Sequence, residues 1–358
     1  MAASTEQPAY AKLKFRTRGI TIMKAVAYQK ASPITSKNAL IDIEIDAPTA
    51  QGHDLLISVQ AVSVNPVDTK IRHNVNPEHD QWKVLGWDAV GVVEAIGEEV
   101  TLFKVGDIVW YAGALNRQGS NSELHLVDER IVGPKPKSID TIEAAALPLT
   151  AITAWEMLFD RLKVPTSSPL NTTILVIGGA GGVGSITIQL LKQLTNLTII
   201  STASRPETAK WVKQLGADFV LDHRQPLAEQ ITKLGLNAPT YVFSTTHTDQ
   251  HLPDIAQIIA PQGHFGLIDD PEQLDIKPFK SKSVSIHWEF MFTRSMYQTE
   301  DMIKQSELLN QISTLVDAGK IKTTVTQVLS PINAENLKQA HLQIESGSTK
   351  GKIVLHGF

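Results

Sequence analysis

From Asp54 to Asn65 the chain reads DLLISVQAVSVN, with apolar residues at alternate positions. That is the period of a strand with one buried face. Similar short runs, such as MKAVAYQ from Met23 and DIVWYAG over 107–113, fill residues 23–140 between Gly and Pro punctuation. They predict a β-rich unit with little helix. In VLGWDAVGVVEAIGEEVTLFKVGDIVW (84–110), Gly86, Gly91, Gly97 and Gly106 interrupt the alternation, as expected of strands joined by tight turns. At TIEAAALPLTAITAWEMLFDRL (141–162) the apolar period changes to that of a helix, broken near Pro148. From 171 to about 290 strand and helix patterns alternate: TTILVIG, a helix to Leu194, LTIIST, a helix through PETAKWVKQLG, then ADFVLD. Such alternation predicts a parallel sheet with right-handed crossovers. QSELLNQISTLVDAGK (305–320) is a last amphipathic helix, and the late strands TTVTQVLS and GKIVLHGF resemble the first unit more than the middle one.

The strongest chemical signal is ILVIGGAGGVGSITIQLLKQL (174–194). An apolar strand enters it, a helix leaves it, and Gly179-Ala180-Gly181-Gly182-Val183-Gly184 fits G-x-G-x-x-G. Those glycines permit a tight turn, close approach of a pyrophosphate, and close packing of helix on sheet. The helix N-terminus then offers free N–H groups to the phosphates. Sites for NAD place Asp or Glu about 20 residues past the glycines, on the ribose 2′-hydroxyl. Here that position holds Ser204, followed by Arg205, and no acid occurs before Glu207. A carboxylate would repel a 2′-phosphate, whereas Ser204 and Arg205 donate to one. The pattern therefore points to NADP(H); the plain alternative for Arg205 is a solvated turn cap. His223, after the third strand, is placed to flank the adenosine end.

With 358 residues, 42% apolar and 20% charged, the chain has the composition of a soluble protein with a normal core. A net charge of −4 provides no broad basic field for nucleic acid or an anionic membrane. No apolar run approaches the ~18 residues of a membrane helix. Cysteine is absent, which removes disulfides and every thiolate metal site and agrees with a cytoplasmic location. Residues 1–22 carry Lys12, Lys14, Arg16 and Arg18 against Glu6 and are expected to form a poorly ordered extension. Tyr10 and Lys14 match Tyr-x-x-x-Lys by letter, but far ahead of the glycine loop, so the match is dropped. His247 and His251 are four apart without an adjacent Glu, and are expected in a loop rather than on a metal.

Taken together, VSVNPVDTKIR (62–72), the Val84–Trp110 stretch, AAALPLTAITAWEML, GGAGGVGS and GKIVL resemble the medium-chain dehydrogenase/reductase superfamily, in its zinc-independent quinone oxidoreductase branch. The resemblance covers about 23–358. It implies an α/β fold: a doubly wound Rossmann sheet, residues 150–290, inserted in a discontinuous β-rich GroES-like domain, residues 23–149 and 291–358. Zinc alcohol dehydrogenases of the superfamily carry Gly-His-Glu where this chain has Gly86-Trp87-Asp88, and a Cys ligand in the segment matching Asn65-Pro66-Val67-Asp68. Both ligands are replaced, so no metal is expected. Carried over residue by residue, Asn65 stands near the nicotinamide. Lys70 takes a place held by Tyr or Lys in relatives. Thr153, Thr245, Ile268 and Lys352 line the cofactor. SIHWEF (285–290) matches the edge strand that pairs family homodimers.

The activity implied is NADPH-dependent hydride transfer to a quinone or α,β-unsaturated carbonyl, whose developing oxyanion needs donors in place of zinc. Lys70 is a candidate to hold that oxygen or relay a proton, or is simply a solvated lysine. Asn65 is a second candidate donor, or a turn residue before Pro66. Asp68 is expected to orient Lys70 or cap a turn. Trp87 is expected to wall the pocket with its indole N–H available, and Asp88 to anchor the turn. Two rival classes stay open: a non-catalytic NADPH-binding sensor or structural protein, and a zinc-dependent alcohol dehydrogenase.

Overall fold

The computed structural model describes residues 16–17, 20–78, 81–169 and 171–358. The expected extension falls mostly outside the described residues, as do Tyr10 and Lys14. Its end does not: a strand starts at Ile20, three residues before Met23, and Arg16–Thr17 pairs back onto it.

The alternating runs of the first unit build two sheets. Ile20–Tyr28 pairs with Ile41–Asp46 and Lys83–Val84. A seven-stranded sheet runs in the order Val325–Leu329, Lys352–His356, Asp54–Val64, Ala89–Ile96, Ile108–Tyr111, Val132–Pro134, with Leu124–Asp128 also on Asp54–Val64. The central strand Asp54–Val64 explains the sheet's shape. Its first half alternates buried and half-buried, one face to the core; its last four residues are all buried. Register shifts between Leu56 and Ile57, and between Val59 and Ala61, bend it. It therefore delivers Asn65 into the interior, where the late strand Lys352–His356 lies beside it, Ile353 opposite Val64.

The middle of the chain forms a six-stranded parallel sheet in the order Phe219–Leu221, Thr198–Thr202, Thr173–Ile177, Tyr241–Ser244, His264–Leu267, Ser285–Trp288. Order reverses beside Thr173–Ile177, the strand that enters the glycine loop. In open α/β sheets the crevice at such a switch point, outside the carboxyl ends of the strands, is where ligands bind. The fold is thus a GroES-like β unit joined to a Rossmann-type parallel sheet.

The helical stretch at 141–162 divides into Thr141–Ala145 and Pro148–Trp155, the proline at the first position of the second helix. The segment Glu156–Arg161 then continues as a π-helix, which its apolar period did not reveal. His247 and His251 also depart from expectation. An eleven-residue helix starts at Thr248, with His247 outside it at φ 50°. Among the described residues no three His, Asp, Glu or Cys side chains gather to hold a metal.

Candidate cofactor cleft and reaction site

The glycine loop joins Thr173–Ile177 to the helix Gly182–Leu194. Gly179 is required by contact: a Cβ there would lie 1.8 Å from Ser201 Oγ on the adjacent strand. Gly184 packs on the loop backbone, 2.4 Å from Gly178 O to a hypothetical Cβ. Gly181 caps the helix with no side chain to occupy its first N–H groups. A cradle of bare backbone at the N-terminus of a thirteen-residue helix fits a dinucleotide pyrophosphate. Thr245 Oγ1 donates to Ile177 O at 2.9 Å and so binds the neighbouring strand end to the loop. The returning chain touches it too: Gly351 N donates to Ala180 O at 2.9 Å, and the Lys352 side chain lies against Gly182.

At the next strand end Ser204 is half-buried and Arg205 begins the helix Pro206–Leu215. The guanidinium of Arg205 is engaged twice: Nε lies 3.0 Å from Glu207 Oε1, and Nη2 donates to Ser348 O at 2.8 Å. Lys350 lies 5.0 Å from the centroid of the Trp211 ring. Sequence reasoning passed over Ser348 and Lys350 here, because the loop 346–351 is remote in sequence. His223 packs edge-on to His251, with 6.0 Å between ring centroids, and burial lowers the pKa of both.

Beyond the glycine loop lies a buried polar network. Asn65 precedes the helix Pro66–Asn74, and its amide does not cap that helix. Instead Asn65 Nδ2 donates to Asp88 Oδ2 at 2.8 Å, and Oδ1 accepts from Lys352 Nζ. Lys352 also donates to Val64 O and to Asp88 Oδ2, each at 3.0 Å. Asp88 further accepts from Ser63 Oγ at 2.8 Å and from Leu149 N at 2.7 Å. One carboxylate therefore ties together the end of the central strand, the start of the helix that carries Thr153, and the late strand beside the glycine loop. The anchor role expected of Asp88 within its own turn understates this reach.

Several expected roles are corrected. Asp68 does not orient Lys70 but takes the capping alternative: it accepts from Asn65 N at 2.7 Å, at the start of its own helix, and from Gly86 N at 3.0 Å. Burial pushes its pKa up to about 7, opposed by the Asn65 N–H and by Lys352. Gly86 sits at φ +112°, a left-handed conformation that glycine tolerates, and Ser120 and Asn121 leave no room there for a Cβ. The Trp87 indole N–H is not free: it donates to Ala114 O at 3.2 Å, and the ring meets Phe292 edge-on at 6.2 Å. Asn65 likewise spends its amide inside the network rather than offering it outward. Thr153 is buried, its hydroxyl donating to Leu149 O at 2.8 Å, and Ile268 is half-buried after the fifth sheet strand. Lys70 alone of the two candidate donors is open to solvent. Its ammonium pairs with Asp270 Oδ2 at 2.7 Å, two residues past Ile268, so the pair spans from the first unit to the nucleotide sheet.

Comparison with known proteins agrees with this architecture. The alcohol dehydrogenase GroES-like domain model matches residues 51–137, and the zinc-binding dehydrogenase model matches 215–355. The chain belongs to the medium-chain dehydrogenase/reductase superfamily of oxidoreductases. Within it, the chain is 42% identical over 337 residues to a zinc-type alcohol dehydrogenase-like protein of Staphylococcus aureus, covering 93% of this chain and 100% of that one. A Rhizobium etli protein described as a zinc-dependent alcohol dehydrogenase superposes with a TM-score of 0.92 at 59% identity, over 94% of this chain and 98% of that one. A mycobacterial protein crystallised with NADPH superposes with a TM-score of 0.79 at 25% identity, over 93% and 99%.

Proposed function

We propose that the protein is a metal-independent, NADPH-dependent reductase of quinones or α,β-unsaturated carbonyl compounds. The observation that carries this is the Asp88–Lys352–Asn65 network, in which Asp88 already accepts from four groups, one of them the internal ammonium of Lys352. A zinc ion needs three deprotonated or neutral donors facing an open position. At the turn where zinc relatives present such donors, this chain presents an indole and a saturated carboxylate. These residues do not fit a zinc ion, despite the zinc-type names of its relatives.

NADPH, when bound, supplies the hydride. The glycine cradle would hold its pyrophosphate, and Arg205 with Ser204 would meet the 2′-phosphate. The Asp88 network holds Asn65 and Lys352 and, through Leu149, the helix of Thr153, and these residues would face the nicotinamide end; Trp87 and Phe292, both buried, pack against each other rather than lining an open wall. Lys70 is the group with donors to spare: one of its three serves Asp270, leaving two for the carbonyl oxygen on which charge grows. Quinones and enones suit this arrangement because their own conjugation spreads that charge. We take residues 23–149 and 291–358 as the substrate-facing unit and 150–290 as the cofactor unit, with the late strands on the central sheet in support.

The commitment of Asn65 and Trp87 to internal bonds favours one second reading, a cofactor-binding protein without turnover. The test is NADPH oxidation against a panel of quinones, enones, alkenals and simple ketones, before and after exhaustive chelation. The expected result is turnover on the conjugated acceptors, unchanged by chelator, with kcat lowered at least tenfold in Lys70→Met and NADPH affinity kept. Turnover lost on chelation and restored by zinc would overturn metal independence. Tight NADPH binding without turnover on any acceptor would establish the second reading.

A further inference from the structure

A second buried polar cluster lies away from the cofactor cleft. The π-helix Glu156–Arg161 follows directly on the helix that carries Thr153, and Glu289 follows directly on the last sheet strand, Ser285–Trp288. Both glutamates are buried, 0% and 2% exposed. Glu156 Oε1 accepts from Arg294 Nη1 at 2.6 Å and Gln305 Nε2 at 3.1 Å. Glu156 Oε2 and both oxygens of Glu289 have no hydrogen-bond partner, and the two residues are brought together by Gln305, which bonds both Glu156 and Met291 O two residues past Glu289, and by Arg161 of the same π-helix, which reaches Glu289. Gln305 Nε2 also donates to Met291 O at 2.6 Å, so its amide is oriented and cannot turn to offer these oxygens another donor.

The surrounding charge does not satisfy both acids. Arg294 is divided among Glu156, Asp160 and Asp301, and Lys304 reaches only Asp301, at 4.0 Å. Arg161 Nε lies 2.8 Å from Glu289 Oε2 but outside hydrogen-bond geometry, and its charge also acts on His287, two residues before Glu289. Four carboxyl groups thus meet two guanidinium groups. Two neighbouring buried carboxylates whose oxygens lack donors are costly, and one proton between them turns a repulsion into a charge-assisted bond.

We propose that Glu156 and Glu289 share one proton, forming an acid–carboxylate bridge that ties the edge of the nucleotide sheet to the helix leaving the cofactor bed. Burial and the facing Glu156 raise the Glu289 pKa well above the ordinary carboxylate range, in agreement with that bridge. The inference rests on this cluster alone and stands whatever substrate the cleft accepts.

The sign of its pH dependence follows. In the folded protein the pair keeps a proton that the unfolded chain releases at ordinary glutamate pKa. The associated stability is complete at acid pH and falls as pH rises through neutrality toward the raised value. Glu289→Gln supplies a fixed N–H donor to Glu156 in place of the O–H and has no proton to lose. Full-length wild type and Glu289→Gln should be compared by thermal and denaturant unfolding across about pH 6 to 8, a window above the ordinary glutamate pKa. The expected result is that the variant gains on wild type by about tenfold in the unfolding constant per pH unit. Infrared difference spectra at pH 8 should show a protonated carboxyl band in wild type that the variant lacks. Parallel stability curves with no such band would overturn the shared proton. So would a wild type stabilised by added Mg²⁺ or K⁺ and weakened by chelator, which would make the bridge a cation. If Glu289→Gln does not fold, Glu156→Gln decides by the same band. Loss of the band or a shift in its frequency supports the bridge, and an unshifted band overturns it.

Discussion

At the scale of single residues the two carboxylates near the cleft behave oppositely because their partners differ. Glu207 pairs with Arg205 from an exposed position, so it would compete with a 2′-phosphate for the same guanidinium. Arg205→Ala should weaken NADPH binding by about 1–3 kcal/mol, the worth of a charge-assisted bond, and leave NADH nearly unchanged. Glu207→Gln should act the other way, strengthening NADPH binding and not NADH. Calorimetric titration of both cofactors checks the pair; equal effects on the two would remove the 2′-phosphate role. Asp88 is different, being fully buried and balanced by Lys352. Asp88→Asn leaves the ammonium unpaired and should cost about 3–5 kcal/mol of stability, as broken buried pairs do. Adding Lys352→Met removes the stranded charge, so the double variant should recover part of that loss in denaturant unfolding. Additive losses would show that the two residues do not act as a pair.

At the scale of elements, the glycine loop is where sequence and structure agree most directly. A G-x-G-x-x-G between an apolar strand and a helix has few ways to fold, and Gly179 shows why the residue is needed. Its hypothetical Cβ meets Ser201 Oγ at 1.8 Å, while the next contacts, Ile188 Cδ1 and Ser201 Cβ, are at 3.2 Å. Gly179→Ala should therefore destabilise by about 1–3 kcal/mol through overpacking. Ser201 Oγ is buried with no hydrogen-bond partner, so Ser201→Ala should be neutral or slightly stabilising, and the double variant should regain most of the loss. Melting temperatures of the three variants measure this, and a double variant no better than Gly179→Ala would place the strain elsewhere. The strands around Asp54–Val64 were legible for the same reason, since alternation fixes which face is buried. The fate of Asn65 and Trp87 was not. Local pattern gives a side chain's place in its element, whereas their partners, Asp88, Lys352 and Ala114, arrive from other strands and turns. The π-turn at Glu156–Arg161 was hidden likewise: its apolar residues continue the helical rhythm, and what holds it includes Arg294, more than 130 positions away.

At the scale of the molecule, the two units are tied by Lys70–Asp270 at one place and by Arg205–Ser348 and Gly351–Ala180 at another. The sheet itself ends at Ser285–Trp288, which pairs with His264–Leu267 on one side and with no strand on the other among the described residues. Its side chains are half-buried up to Trp288, which is 56% exposed, and Phe290 just beyond is 47% exposed. An open edge flanked by exposed aromatic rings is a template for another strand unless something covers it. A second copy can cover it isologously, because one edge strand meets its own twin across a two-fold axis. We therefore expect a homodimer through residues 285–290. Trp288→Glu with Phe290→Lys places charge on that face without touching Thr245 or the glycine loop, which lie on strands further in. Sedimentation velocity should show wild type as a dimer and the double variant as a monomer, with NADPH affinity retained. A variant that stays dimeric would assign the association to another surface, and a wild type that sediments as a monomer would leave the edge strand protected by its own twist and short length.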